Sequence, residues 1–209
     1  MGVEDAALPV DTAAVPPPGR VYALPQLRPA TPDDAREIVA LLAAVALEGT
    51  LGLEHTALRA EEEATRLARL DLRAACAVVV TLEGHVRGFA IAVRGAEAAI
   101  AHTAGVSVAV AADSRRRGCG GLLLGGALAW ARAAGVRKLC AGVVDRNGPA
   151  LALFHRAGYS VEGIRRGQIA HAGRLADEIM FGLQVDAPLV PGEPRRKRTR
   201  GRDGKRRDV

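Results

Sequence analysis

Apolar positions along the chain change their spacing near Cys76, and that change divides the sequence into a helical opening and a strand-rich remainder. Ile38, Leu41, Leu42 and Val45 recur at helical intervals and form the stripe of an amphipathic helix. Thr31-Pro32-Asp33-Asp34 predicts where it starts, with Thr31 as N-cap, Pro32 in the first helical position and acids in the first turn. Gly49 predicts its end, and Leu24–Arg28 ahead of it reads as a short strand. A second helix is predicted over Thr56–Leu70, where Glu61, Glu62 and Glu63 precede Arg66 and Arg69 on what should be a solvated face.

From Cys76 the alternation becomes that of strands. Cys76–Leu82 and Val86–Val93, joined at Glu83-Gly84-His85, predict an antiparallel hairpin. Ile100–Val110 is a further strand, and an apolar helix follows over Gly120–Ala134, closed by Gly135 as a C′ residue. Lys138–Val144 predicts a strand, Gly148–Ala157 a short helix closed by Gly158, and Tyr159–Ala170 another strand. A turn at Ala172-Gly173-Arg174 then leads to the last strand, Asp177–Val185. The order βααβββαβαββ describes an α+β sheet with helices on both faces.

Composition adds boundaries to this picture. A chain of 209 residues suits one domain, and with 49% apolar but only 3% aromatic residues its core must be Ala, Val, Leu and Ile. Residues 1–23, with Pro16-Pro17-Pro18-Gly19, read as a flexible lead-in, 24–186 as the folded domain and 187–209 as a disordered basic tail. No apolar run has the length to span a bilayer. Glu4, Asp5 and Asp11 precede the first basic residue, the wrong order for a secretory signal, so a cytoplasmic location is expected.

The formal net charge of +6 belongs to the tail. From Pro191 onward nine basic residues stand against Glu193, Asp203 and Asp208, which leaves the rest of the chain balanced. Such a tail could touch nucleic-acid phosphates, but it has no aromatic residues for stacking, so specific recognition is not expected. Cys76, Cys119 and Cys140 are isolated and odd in number, which predicts neither a zinc site nor a disulfide framework, and no metal is expected.

The segment Arg115-Arg116-Arg117-Gly118-Cys119-Gly120-Gly121 lies between a predicted strand and a predicted helix. Amides at a helix N-terminus lack intrahelical partners and face anions, and glycines let a phosphate approach them. The arginines add a field that steers a phosphorylated ligand inward. A pyrophosphate is the natural cargo. The lysine of a triphosphate-binding P-loop is absent, and no second Gly-rich fingerprint suggests a dinucleotide.

The stretch from Ala101 to Ile164 resembles the GNAT superfamily (Gcn5-related N-acetyltransferases). It carries a strand at Val106–Val110, the loop Arg115-Arg116-Arg117-Gly118-Cys119-Gly120, a Leu- and Ala-rich helix, a further strand, Asn147, a short helix and the pair Gly158-Tyr159. Leu27-Arg28-Pro29-Ala30 and Asp177–Leu183 are similar to the family's opening and closing elements. The resemblance implies a mixed central sheet of about seven strands flanked by about four helices, with the fourth and fifth strands splayed.

It also implies how acetyl-CoA would be held. The amides around Gly118, Cys119, Gly120 and Gly121, with Arg115, Arg116 and Arg117, would take the pyrophosphate. Val108, Ala109 and Val110 would pair with the pantetheine arm, and Asn147, Ala150 and Phe154 would lie beside it. The implied reaction is direct attack of an amine on the thioester, with a backbone N–H near Val108 as oxyanion donor. Family members often place a proton-donating Tyr where this chain has Phe154, so the acid must be His155, Tyr159 or none. Glu48 and His102 are the candidate bases. Cys119 belongs to the phosphate loop, which argues against an acyl-enzyme. The acceptor is expected to be a small amine or amino acid. A protein N-terminus or lysine is the alternative, and a non-catalytic CoA-binding module with a nucleic-acid-contacting tail is a third reading. Whether the chain forms a homodimer is left open.

Overall fold

A computed structural model describes residues 23–49, 59–171 and 173–185. Eleven regular elements follow the expected order: β1 (Gln26–Pro29), α1 (Ala35–Leu47), α2 (Ala60–Ala68), β2 (Ala75–Leu82), β3 (His85–Arg94), β4 (Thr103–Val110), α3 (Cys119–Ala133), β5 (Lys138–Val144), α4 (Gly148–Arg156), β6 (Ser160–His171) and β7 (Arg174–Gln184). The seven strands form one sheet in the order β1-β2-β3-β4-β5-β7-β6. All neighbours are antiparallel except β4 and β5, which are parallel and joined through α3, because a parallel pair requires a crossover connection.

The parallel pair is also where the sheet opens. β4 and β5 share only the rungs Thr103–Lys138, Ala104–Leu139 and Gly105–Cys140. Meanwhile β4 stays paired with β3 out to Val110, and β5 with β7 out to Val144. Beyond Gly105 and Cys140 the two strands therefore splay while their outer neighbours hold them in place.

Alternation sorts the core onto two faces. Ile38, Leu41, Leu42 and Val45 of α1 pack on Ala77, Val79, Phe89 and Ala109. On the other face Cys119 and Leu123 of α3 pack on Val80 and Ala90, and Leu124, Ala127, Ala131 and Phe154 on Val106, Leu139, Val143 and Phe181. No residue of β5, β6 or β7 contributes to the buried cluster under α1 and α2.

Several boundaries differ from the sequence expectation for local reasons. The turn after Thr31 is a 3₁₀ helix over Pro32–Asp34, and the α-helix begins at Ala35. There the Asp34 carboxylate accepts from the Thr31 N–H and hydroxyl (2.8 and 2.9 Å) and twice from Arg28 (2.7 Å each). The second helix starts at Ala60, and its expected beginning near Thr56 lies outside the described residues. Its charge run is not wholly solvated, because Glu63 is 3% exposed and ion-paired to Arg66. Ile100–His102 forms a turn rather than the start of a strand, and β7 begins at Arg174, earlier than expected.

Candidate active site

The phosphate-type loop leaves β4 through a 3₁₀ turn at Ala112–Ser114 and enters α3 at Gly118, whose φ of 84° a side chain would resist. Leu122 is the first residue of α3 whose N–H closes back onto the helix, at Gly118 O (3.1 Å). The amides of Cys119, Gly120 and Gly121 therefore point out along the positive end of the helix dipole.

The four glycines of α3 divide by what surrounds them. A Cβ on Gly120 would stand 2.8 Å from a Leu153 methyl, and one on Gly126 would stand 3.1 Å from a Leu27 methyl, so these two permit close packing. Gly121 and Gly125 have nothing within 4 Å. A helical glycine costs about 1 kcal/mol relative to alanine, and packing does not account for these two. Both line a cleft of about 880 Å³ that runs between α3 and α4 and reaches the splayed strands.

The cleft collects most of the residues marked out by the sequence. Val108, Ala109 and Val110 form one wall, Arg115, Arg116, Gly118, Cys119, Gly120 and Gly121 the rim, and Asn147 and Ala150 the opposite side. Asn147 caps α4 by accepting from the Ala150 N–H (3.1 Å). The backbone of β4 turns alternately to either side. Ala111 donates to Arg87 O on β3, so the odd-numbered residues bond to β3 and the even-numbered Val106, Val108 and Val110 face β5. Arg115 Nε accordingly reaches Val110 O (3.2 Å). Past the last rung with β5, the Val108 N–H faces open space.

Five candidates sit differently from expectation. Phe154 is buried in the core, stacked on Phe181 (5.6 Å) and met edge-on by Tyr159 (5.0 Å), and Leu153 and Ala157 line the cleft in its place. Arg117 does not line the cleft, and one of its nitrogens donates to Ala23 O (3.2 Å). His102 is exposed at the paired end of β4, where its carbonyl accepts from Arg137 (2.7 Å). About 20 Å of strand separates it from the gap at Val108. Glu48 lines the cleft, but both of its carboxylate oxygens are held by Arg115 (2.7 and 2.8 Å). That bond ties the end of α1 to the loop. His155 rests edge-on against Phe181 (5.1 Å) and takes no part in the lining.

Tyr159 lines the inner cleft, and its buried hydroxyl has no hydrogen-bond partner among the described residues. Burial pushes the phenol pKa upward, which keeps the proton on the oxygen. Cys119 is 1% exposed, and burial raises its thiol pKa as well, so it is not placed as a nucleophile. Leu153, Ala157 and Arg146 are lining residues that sequence reading missed. The first two carry a helical-spacing signal with Ala150, whereas Arg146 is marked only by its place beside Asn147. Among the described residues no group of three or more His, Cys, Asp or Glu side chains could hold a metal, and no helix is long and apolar enough to cross a membrane.

A split parallel pair, a glycine-lined helix N-terminus and a capped helix opposite define an acyl-carrier cleft. The profile of the acetyltransferase (GNAT) family matches residues 46–159, and the chain belongs to that family. The fold is similar to a GNAT-family acetyltransferase from Streptococcus pneumoniae, at 27% identity and TM-score 0.70 over 77% of this chain and 99% of that one. It is also similar to a ribosomal-protein-alanine N-acetyltransferase from Brucella melitensis, at 26% identity and TM-score 0.70 over 76% and 99%. A phosphinothricin acetyltransferase from Sinorhizobium meliloti, in complex with acetyl-CoA, shares the fold at 24% identity and TM-score 0.71 over 77% and 88%. No curated protein sequence matches the chain.

Proposed function

We propose that the protein transfers the acetyl group of acetyl-CoA to a primary amine by direct attack on the thioester. The acceptor is a small amine or an amino acid. The observation that carries this reading is the cleft itself, whose floor is two otherwise unexplained helical glycines and whose inner wall is the exposed edge of β4. The pyrophosphate is held at the amides of Cys119, Gly120 and Gly121, with Arg116 and Arg115 at the rim. The pantetheine arm runs along Val108–Val110, opposite Asn147 and Ala150. The thioester carbonyl accepts from the Val108 N–H, which stabilises the oxyanion as the amine adds. Tyr159 lines the inner cleft and is the residue whose hydroxyl returns a proton to the departing thiolate. The buried Cys119 thiol argues for one-step transfer with no acyl-enzyme.

A protein N-terminus is the second reading, favoured by the similarity to a ribosomal-protein-alanine N-acetyltransferase. Thiol release from acetyl-CoA, measured against amines, amino acids and N-terminal peptides, separates the two. Release with small amines and none with peptides is expected, and the reverse pattern would reassign the acceptor. No amine-dependent release with any class would overturn the acyl-transfer reading. The domain takes part without the tail, so deleting residues after 188 leaves turnover on a small amine unchanged.

A further inference from the structure

The transfer reaction needs a group to take a proton from the incoming ammonium, and neither base expected from the sequence is free to do so. Glu48 is held on both oxygens by Arg115, and His102 lies at the wrong end of β4. A different carboxylate stands at the gap. Glu178 lies on β7 opposite Val144 of β5, and alternation turns it away from the α3–α4 face, since its neighbour Ile179 packs into that core. Its side chain lies over Gly142 so closely that a Cβ there would come within 1.9 Å of Oε1. Oε2 accepts from Arg165 (3.1 Å), and among the described residues no donor reaches Oε1.

The rungs Thr103–Lys138, Ala104–Leu139 and Gly105–Cys140 fix where this is along the gap. Continued in step, they bring Ser107 level with Gly142 and Val108 level with Val143. Oε1 thus sits at the edge of the opening, at the level of the proposed oxyanion donor, on the face opposite the glycine loop. Gly142 is what lets the carboxylate lie flat against β5. The same device recurs two rungs away, where Glu162 lies over Gly182, but that glutamate is paired to Lys138 (2.7 Å).

We infer that Glu178 is a catalytic residue, the carboxylate that receives the acceptor's ammonium group from the face opposite α3 and α4 and takes its proton. This rests on the acyl-transfer reading above. The ammonium proton passes to Oε1, and the amine lone pair forms the new C–N bond. The C–S bond then breaks, the thiolate leaves as the thiol after taking a proton from Tyr159 or water, and the second proton of the attacking nitrogen restores that donor as the neutral amide forms. Glu178 returns its proton to solvent, so each turnover yields an amide, CoA thiol and one proton.

The test uses the full chain, acetyl-CoA and whichever amine of the panel the wild type turns over fastest. Glu178→Gln keeps the shape and an acceptor for Arg165, and kcat should fall about 100-fold with acetyl-CoA affinity unchanged. Glu178→Ala opens a space above Gly142, and added formate should restore part of its rate, which no purely structural role would allow. Glu178→Gln turnover within threefold of wild type would overturn the inference, as would a loss of acetyl-CoA affinity matching the loss of rate. A silent wild type would instead overturn the acyl-transfer reading, and this inference with it.

Discussion

The two faces of the splayed strands are built from different materials. On the α3–α4 face the cleft is made of backbone: helix N-terminal amides, the free edge of β4, and the glycines at 121 and 125. On the opposite face of the β5–β7–β6 half the surface is made of side chains, with Glu178 and Glu162 lying over Gly142 and Gly182 and answered by Arg165 and Lys138. A ligand held by backbone is recognised through chain geometry. One held by side chains is recognised through whatever residues happen to occupy the face. The first suits a donor of fixed structure and the second an acceptor that differs between proteins sharing this fold.

The largest effect that would break this contrast is expected at Gly125. Its Cβ direction is open and faces the cleft, so Gly125→Leu should leave the fold intact while filling the space the donor needs. Acetyl-CoA affinity, measured calorimetrically, should fall by at least about 100-fold, which is near 3 kcal/mol. Gly125→Ala should raise stability by about 0.5–1 kcal/mol through helix propensity, while still weakening binding. An alanine variant that is more stable and binds as tightly would show that the glycine does not serve the cleft.

An intermediate effect is expected at Tyr159, where the side-chain and backbone contributions meet. Tyr159→Phe removes one hydroxyl that has no partner among the described residues, so the fold should be undisturbed. If that hydroxyl protonates the thiolate, kcat should drop about tenfold or more with acetyl-CoA affinity retained. An unchanged kcat would mean the thiolate leaves without help, and the contrast between the faces would then involve only Glu178.

The backbone-built side was legible in the sequence because glycine positions and helix starts are local signals. The order of elements falls where the pattern puts it, Gly118 and Gly120 stand at the helix start that pattern and chemistry mark, and Asn147, marked by the family resemblance, caps α4 across the cleft. Even there, Phe154 was misplaced. Spacing puts it beside Ala150, Leu153 and Ala157, but a large aromatic in an Ala-rich chain is drawn to the aromatic partners Phe181 and Tyr159. The side-chain-built side was not legible. Glu178 looks like any acidic residue on an alternating strand, and its meaning depends on Gly142, which is 36 positions away and adjacent only through strand register. The pairing of Glu48 was not legible for a similar reason, since its partner Arg115 is brought to it by the packing of α1 on β4.

The smallest effect on function should come from the half of the sheet that has helices on both faces. Arg28 and Asp34 tie β1 to the start of α1, and Asp34 is buried with four donors on its carboxylate. The Arg28 guanidinium, first, and the Thr31 N–H and hydroxyl hold its pKa down at about 2 against burial, which acts the other way. Because the folded pKa lies below the ordinary carboxylate value of 3.8, the contribution to stability is present above that value. It is lost as pH falls toward the folded pKa. Asp34→Asn cannot titrate there, so its melting temperature should lie several degrees below wild type at neutral pH. The gap should narrow as pH is taken from 5 to about 2, where the wild-type carboxylate takes up its proton. Turnover at neutral pH should stay within about twofold, because neither the cleft nor Glu178 touches this pair. A gap that stays constant across that range would mean that the side chain acts through shape and not through charge.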